Sequence, residues 1–264
     1  MAGAHPYESK TNDELFELAL GGDSEADDDY EAESAWAAIR VLRRRHTADI
    51  FERVKHFCAS PKMRMRERGL QILTEFGVRD EVRPFFDASV ELAIEATRDA
   101  DPFVVQAAAW ALANSPGARS KTALMGLKNH PDPEVRYSVA VGNVGAVQPG
   151  AVEVLLELME DSEGKVRNWA TFALGGGDEH DSPEIREAFR KRLADSDQGA
   201  KREAIWGLAK RHDRQGLELL LERFEADRWV SGDKQTARDI LDLYSGDDPS
   251  IEELCADLRA LLPS

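Results

Sequence analysis

Apolar residues recur along the chain with the spacing of amphipathic α-helices. Val152, Leu155, Leu156 and Met159 fall at i, i+3, i+4 and i+7, for example, which places them on one helical face. A longer pattern recurs at intervals of 31 to 39 residues: apolar, Arg, two residues, Ala, two residues, then Ala-Leu-Gly, with its clearest copy at residues 166–175. A period in this range is typical of stacked helix pairs.

Seven copies of this pattern account for most of the chain. Aligned on the Arg position, which we term the arginine slot, they place the slot at Ala35, Arg66, Val105, Arg136, Arg167, Lys201 and Lys234. Each slot is expected to begin the second helix of a pair. The predicted second helices are 35–45, 66–76, 105–114, 136–144, 167–174, 201–211 and 234–244. The first helices predicted before them are 13–20, 47–58, 86–97, 118–129, 151–159, 182–193 and 215–224.

Small residues recur three and six positions after the slot, where they would let neighbouring helices approach closely. They are Ala38, Gly69, Ala108, Ala111, Gly142, Ala170, Ala173, Ala204, Gly207 and Ala237. No single helix pair could bury this stripe, so stacking must stabilise the array. Because no run alternates apolar and polar β-branched residues, we predict an all-α chain. The expected architecture is one α-solenoid (superhelix) domain over residues 1–264, built of about seven helix pairs. Within it we expect a flexible N-terminus at 1–11, an acidic loop at 21–34 and a capping helix at 251–262.

The turns that lead into two of the second helices carry a resemblance to a known family. The segments Asp132-Pro133-Glu134-Val135-Arg136 and Asp161-Ser162-Glu163-Gly164-Lys165-Val166-Arg167 resemble bacterial HEAT-like repeats, including the type named for phycobilisome lyases. The similarity covers about residues 12–245 and implies a ladder of Asp–Arg pairs between adjacent repeats. By this resemblance Asp132, Arg136, Asp161 and Arg167 would belong to the ladder. Val105 occupies the slot of the third repeat, so the ladder is expected to be interrupted there.

The charge of the chain is unevenly distributed. The net charge is −16, made up of −10 over residues 1–34, +6 over residues 35–84 and −12 over the remainder. A negative protein is repelled by nucleic-acid backbones and anionic lipids. The basic band between two acidic regions has two interpretations. Either the acidic stretch lies near it and neutralises it, or the band is a docking site for an acidic partner.

Other sequence features favour a cytoplasmic protein. No apolar run approaches the ~18 residues of a membrane span. The N-terminus lacks the basic start and apolar stretch of a signal peptide. Cys58 and Cys255 lie far apart in the chain and form no disulfide framework.

Signatures of catalysis and metal binding are absent from the sequence. It contains no Gly-x-Ser-x-Gly elbow, phosphate-binding loop, His-Glu-x-x-His or Cys-x-x-Cys. The cluster Asp178-Glu179-His180-Asp181 offers ligand types suited to a divalent ion, but no further ligands follow at a defined spacing. We interpret it as a solvated acidic turn. No catalytic residue, metal site or cofactor is therefore predicted.

One face of the second helices carries the candidate binding residues. Positions one, two, five and nine after the slot point away from the small-residue stripe, which in a superhelix means toward the concave wall. The predicted partner-binding residues on this face are Trp110, Tyr137, Trp169, Phe172, Trp206, Arg40, Arg44 and Arg68. Aromatic and Arg side chains are enriched in interface hot spots. The alternatives are burial of the aromatic rings within the solenoid and a charged face kept for solubility.

These features favour a non-enzymatic scaffold that binds a partner protein or peptide along the concave surface, and the basic residues suit a partner with an acidic segment. The alternative is a nucleic-acid-binding or DNA-repair protein whose Arg-rich band contacts phosphates and whose aromatic groove accepts a base. A lyase or chaperone acting on a pigment-bearing protein is suggested by the repeat name alone, and no residues can be assigned to such an activity.

Overall fold

The computed structural model describes residues 6–21, 29–76, 85–145, 148–176, 180–226, 228, 233–244, 246 and 248–262. Within these ranges every regular element is a helix. A 3₁₀ helix, Pro6–Ser9, precedes fifteen α-helices. They are α1 (Asn12–Leu20), α2 (Asp29–Arg45), α3 (Ala48–Cys58), α4 (Met63–Leu73), α5 (Phe86–Ala96), α6 (Pro102–Ala113), α7 (Ala118–Met125), α8 (Pro133–Gly142), α9 (Ala151–Leu158), α10 (Gly164–Gly175), α11 (Pro183–Arg192), α12 (Gln198–Lys210), α13 (Arg214–Glu225), α14 (Asp233–Leu243) and α15 (Pro249–Ala260).

The all-α prediction is confirmed, but the second helices begin earlier than expected. From α4 to α12 each of them starts three residues before its slot. The reason is visible at the helix caps: Asp101 accepts a hydrogen bond from the Phe103 N–H, and Asp197 accepts one from the Ala200 N–H. Since these side chains satisfy the free N–H groups of the first turn, the slot residue lies inside that turn rather than at its start.

The N-terminal region differs from the prediction in two places. Helix α2 begins at Asp29, so residues 29–34 are helical and not part of an acidic loop. Residues 22–28 of that loop, and residues 1–5, lie outside the described part of the chain. The described end of the expected flexible segment is held in place, because the Arg45 guanidinium donates to the carbonyl oxygens of Glu8 and Lys10 at 2.8 and 2.7 Å.

Contacts among the helices divide the chain into two compact units, residues 1–142 and 143–264. In unit 1 each first helix packs on the second helix of its pair, and the second helices α2, α4, α6 and α8 contact one another in order. A Cβ atom added at Gly142 would lie 2.2 Å from Leu124 Cδ2 and 2.9 Å from Ala113 Cα. The small-residue stripe therefore lies at helix contacts, as its spacing predicted.

Unit 2 repeats this arrangement and ends on α15. Helix α10 packs on α9 and α12, and α12 also packs on α11 and α13. A core cluster that includes Trp206, Leu217, Phe224 and Ile240 is completed by Cys255 and Leu258 of α15. The capping helix predicted over residues 251–262 is thus α15, which begins and ends two residues earlier than predicted. The prediction of one domain over residues 1–264 stays a prediction.

Candidate binding surface

Arginines in the slot join successive helix pairs inside each unit. In unit 1 the Arg66 guanidinium donates from Nε and Nη2 to the two carboxylate oxygens of Asp99, at 2.7 and 2.9 Å. Its Nη1 donates to the carbonyl oxygens of Ser60 and Pro61 in the preceding turn. One side chain therefore closes its own turn and binds the turn before the next second helix.

The equivalent pair in unit 2 is Arg167 with Asp195. Arg167 donates from Nε and Nη2 to the two Asp195 oxygens at 2.8 and 2.7 Å, and from Nη1 to the carbonyl oxygens of Asp161 and Ser162. Arg192 adds a further bond to Asp195 at 2.9 Å. The Arg167 hydrogen bonds are the largest cause of a pKa of about 2 for the Asp195 carboxyl.

The other residues that the resemblance assigns to the ladder also bind the turns and helices around them. Asp132 caps α8 by accepting from the Glu134 N–H at 2.8 Å, and it also accepts from Gln106 Nε2 of α6 at 2.6 Å. Gln106 directly follows Val105, the slot residue of this repeat. Its side-chain amide therefore joins α6 to the turn before α8, where the slot has no arginine to do so. Arg136 donates to the carbonyl oxygens of the turn before α8. The Asp161 carboxylate accepts from the Glu163 N–H.

In unit 1 the predicted face presents a stacked pair of aromatic rings, one exposed and one half-buried. Trp110 of α6 is 38% exposed and stacks on Tyr137 of α8, with ring centroids 6.3 Å apart and planes within 4°. Phe103 lies seven residues before Trp110, hence on nearly the same side of α6, and is also exposed. Sequence reasoning missed Phe103 because it precedes the slot. We term Phe103, Trp110 and Tyr137 the unit-1 aromatic surface.

In unit 2 the predicted face holds a cleft of about 230 Å³. Phe172 and Gly175 of α10, Arg202, Glu203, Trp206 and Lys210 of α12, and Asp233 and Thr236 of α14 line it. We term this the unit-2 cleft. Phe172 is 41% exposed and meets the half-buried Trp169 ring edge to face, with centroids 5.4 Å apart. Arg202, Glu203 and Lys210 occupy positions one, two and nine after the slot, so the rule that found the aromatic residues could also have found them.

Trp206 was predicted to contact a partner, and its burial corrects that assignment. The side chain is 8% exposed and belongs to the unit-2 core cluster. Helix α12 is surrounded by α10, α11 and α13, so it buries more than one stripe of side chains. Trp206 forms the floor of the unit-2 cleft instead of projecting from it.

The basic candidate residues differ in their exposure to solvent. Arg40 is exposed, and Arg44 is exposed and forms an ion pair with Glu8. Arg68 was predicted to face a partner, and the structure corrects this prediction, because its side chain is only 1% exposed. It lies 5.8 Å from the Trp36 ring and donates to Gln71 Oε1 and to the Gly21 carbonyl oxygen.

Neighbouring arginines of the basic band are likewise used inside the protein. Arg43 donates from Nε and Nη2 to the Gln71 carbonyl oxygen, at 2.9 and 2.7 Å. Arg53 pairs with Asp13. Among the described residues of the band, Arg44 and Arg53 therefore pair with acidic side chains of residues 1–34.

The described part of the chain contains no group of three or more His, Cys, Asp or Glu side chains that could hold a metal ion. Asp178 and Glu179 of the acidic turn lie outside it, and Asp181 pairs with Arg186 at 2.7 Å. None of the described helices combines the length and apolar character needed to cross a membrane.

A second cavity, of about 460 Å³, lies among α3, α4, α5 and α6 and was not anticipated from the sequence. Cys58, Arg66 and Asp99 are among its lining residues. Burial raises the pKa of the Cys58 thiol to about 12, so this group stays protonated and unreactive at neutral pH.

Comparison with known proteins identifies the repeats. Residues 152–241 match the HEAT repeats family. Over 89 residues the chain is 34% identical to protein YibA of Escherichia coli K12, an alignment that covers 34% of this chain and 30% of that protein. Over the matched residues the repeats are therefore similar to HEAT repeats. The subtype named for phycobilisome lyases stays a prediction.

Solved structures show the same fold over nearly the whole chain. The X-ray structure of E. coli YibA has a TM-score of 0.70 at 23% identity, covering 96% of this chain and 94% of that one. A chain of the S. pombe condensin Cnd3–Cnd2 subcomplex gives 0.63 at 16% identity, covering 99% and 40%. The archaeal HEAT-like repeats protein from Thermococcus onnurineus gives 0.50 at 13% identity, covering 98% and 100%. The fold class is that of an all-α HEAT-repeat solenoid.

Proposed function

We propose that this protein is a non-enzymatic scaffold that binds a partner protein or peptide on the exposed face of its second helices. HEAT-repeat folds commonly mediate protein–protein interaction, because stacked repeats present an extended surface made of equivalent positions. The condensin structure named above is itself a complex of two subunits. The partner-binding residues proposed here are Arg40, Arg44, Trp110 and Tyr137 in unit 1, and Trp169 and Phe172 in unit 2.

The observation that carries the proposal is the unit-1 aromatic surface. The exposed Trp110 ring stacks on the half-buried Tyr137 ring of the neighbouring second helix, and the exposed Phe103 ring lies on the same side of α6. Large aromatic side chains that the fold does not need to bury are the residue type most enriched in interface hot spots. Tyr and Trp also supply contact area at low conformational-entropy cost.

Affinity capture with the intact chain and two variants tests this proposal. Trp110→Ala should abolish capture of the partner that the unaltered chain retains from a lysate of its source organism, with the circular dichroism at 222 nm unchanged. Leu261→Ala, which removes an equally exposed apolar side chain directly after α15, should retain it. Equal capture by both variants and the unaltered chain would show that the unit-1 aromatic surface has no part in binding.

A further inference from the structure

We infer that the unit-2 cleft binds a lysine or arginine side chain from a basic segment of the partner. This inference rests on the proposed function and assigns a chemistry to the partner. The sequence predicted a partner with an acidic segment, whereas the partner inferred here is basic. The earlier expectation relied partly on Arg68, and that side chain is buried.

The shape of the cleft suits a long cationic side chain. Phe172 stands at its edge with its ring partly exposed, and the Trp206 ring forms the floor. Gly175 of α10 also lines the cleft. The methylene stem of a lysine or arginine can pack on aromatic rings, and its charged end is attracted to their faces.

A carboxylate is positioned to receive the charged end. The Glu203 side chain is 14% exposed, and Arg202 donates from both Nε and Nη2 to one of its oxygens, Oε1, at 3.1 and 2.9 Å. Within the described residues no hydrogen bond reaches the other oxygen, Oε2. Asp233, at the start of α14, supplies a second carboxylate to the lining. Charge-assisted hydrogen bonds gain strength where water is partly excluded.

The two cations of the cleft already have partners. Arg202 binds Glu203, and Lys210 donates from Nζ to the Gly176 carbonyl oxygen at 3.3 Å. Residues 143–264 carry 26 Asp and Glu against 16 Lys and Arg, a net charge of −10. A field of this sign attracts a basic segment and repels an acidic one.

Fluorescence anisotropy with short labelled peptides tests the inference. The probes alternate serine with lysine, glutamate or leucine, and the protein is the full chain. The lysine peptide should bind best, and Glu203→Gln should weaken its binding by about tenfold, because the acceptor of the charged end loses its charge. Glu218→Gln is the matched control: it removes the same charge from an exposed ion pair with Arg214 on α13, and should change binding by about twofold or less.

Three outcomes would overturn the inference. They are an equal loss in Glu203→Gln and Glu218→Gln, a preference for the glutamate peptide, and binding of no peptide. If Glu203→Gln unfolds, Phe172→Ala replaces it, since that exposed ring contributes little to the core; unchanged lysine-peptide binding by this variant would also overturn the inference. If the leucine peptide alone binds and Phe172→Ala weakens it, the assigned charge is wrong while the proposed scaffold function stands.

Discussion

The Arg167 guanidinium binds both carboxylate oxygens of Asp195 and thereby joins α10 to the turn before α12. The Asp195 side chain is 2% exposed, and Arg192 also donates to it, at 2.9 Å. Arg66 and Asp99 repeat the same pairing in unit 1. A bidentate guanidinium–carboxylate pair fixes both distance and orientation, so it sets how one repeat lies on the next.

Replacing Asp195 with Asn should destabilise the protein strongly. The substitution leaves Arg167 and Arg192 partly buried without their shared carboxylate, which costs about 3 kcal/mol when one partner of a buried pair is removed. Urea unfolding followed at 222 nm measures the loss. Asp257→Asn on the exposed side of α15 should change the free energy of unfolding by less than ~0.5 kcal/mol. Equal effects of the two substitutions would mean that the pair contributes nothing beyond its charge.

The stability supplied by Asp195 should depend on pH in acid. Its pKa is about 2 in the folded protein, below the ordinary aspartate value, so its contribution is present above pH ~4 and is lost as the pH falls toward 2. The shift corresponds to about 2 kcal/mol, of which about half is gone at pH 3. The difference in unfolding free energy between the unaltered chain and Asp195→Asn should therefore narrow between pH 5 and pH 3. A constant difference would contradict the assigned pKa.

The fold was predictable because repetition multiplies a weak signal. A small residue at one position says little, but small residues at the same positions in successive copies can be explained only by equivalent helix contacts. Gly142 and Gly207, both assigned to the stripe, do lie where a Cβ atom would collide with a neighbour. The starts of the second helices were missed by three residues, because the slot was taken as the first helical residue and the capping Asp four residues earlier was not used.

The binding face was predictable in direction but not residue by residue. Trp110 and Trp206 occupy the same position after the slot, yet Trp110 is exposed and Trp206 lies in the core. Which of them is buried depends on how the following pair, and α13 in particular, packs against α12. Arg68 lies 5.8 Å from the Trp36 ring, a contact between the successive second helices α4 and α2 that the position after the slot did not predict.

Two glycines that face each other should respond oppositely to alanine. At Gly207 a Cβ atom would lie 2.5 Å from Cε1 of Phe189, whose ring is fully buried and cannot move aside, so Gly207→Ala should destabilise by about 1–3 kcal/mol. At Gly175 the nearest atom would be Gly207 Cα at 3.5 Å, an ordinary contact. Gly175→Ala should therefore stabilise α10, by up to ~1 kcal/mol. Thermal unfolding of both variants measures the difference, and destabilisation by Gly175→Ala would show that α10 and α12 are closer than the structure has them.

The two tryptophans provide the last test, because the same substitution should affect different properties. Trp206→Ala removes a ring from the unit-2 core and should destabilise the protein by about 3–5 kcal/mol. Trp110→Ala removes an exposed ring that stacks on Tyr137 and should cost about 1 kcal/mol or less. Urea unfolding of both variants, compared with affinity capture at a temperature where both are folded, separates stability from binding. If Trp110→Ala destabilises as much as Trp206→Ala, the Trp110 ring belongs to the core, and its exposure cannot be the basis of partner binding.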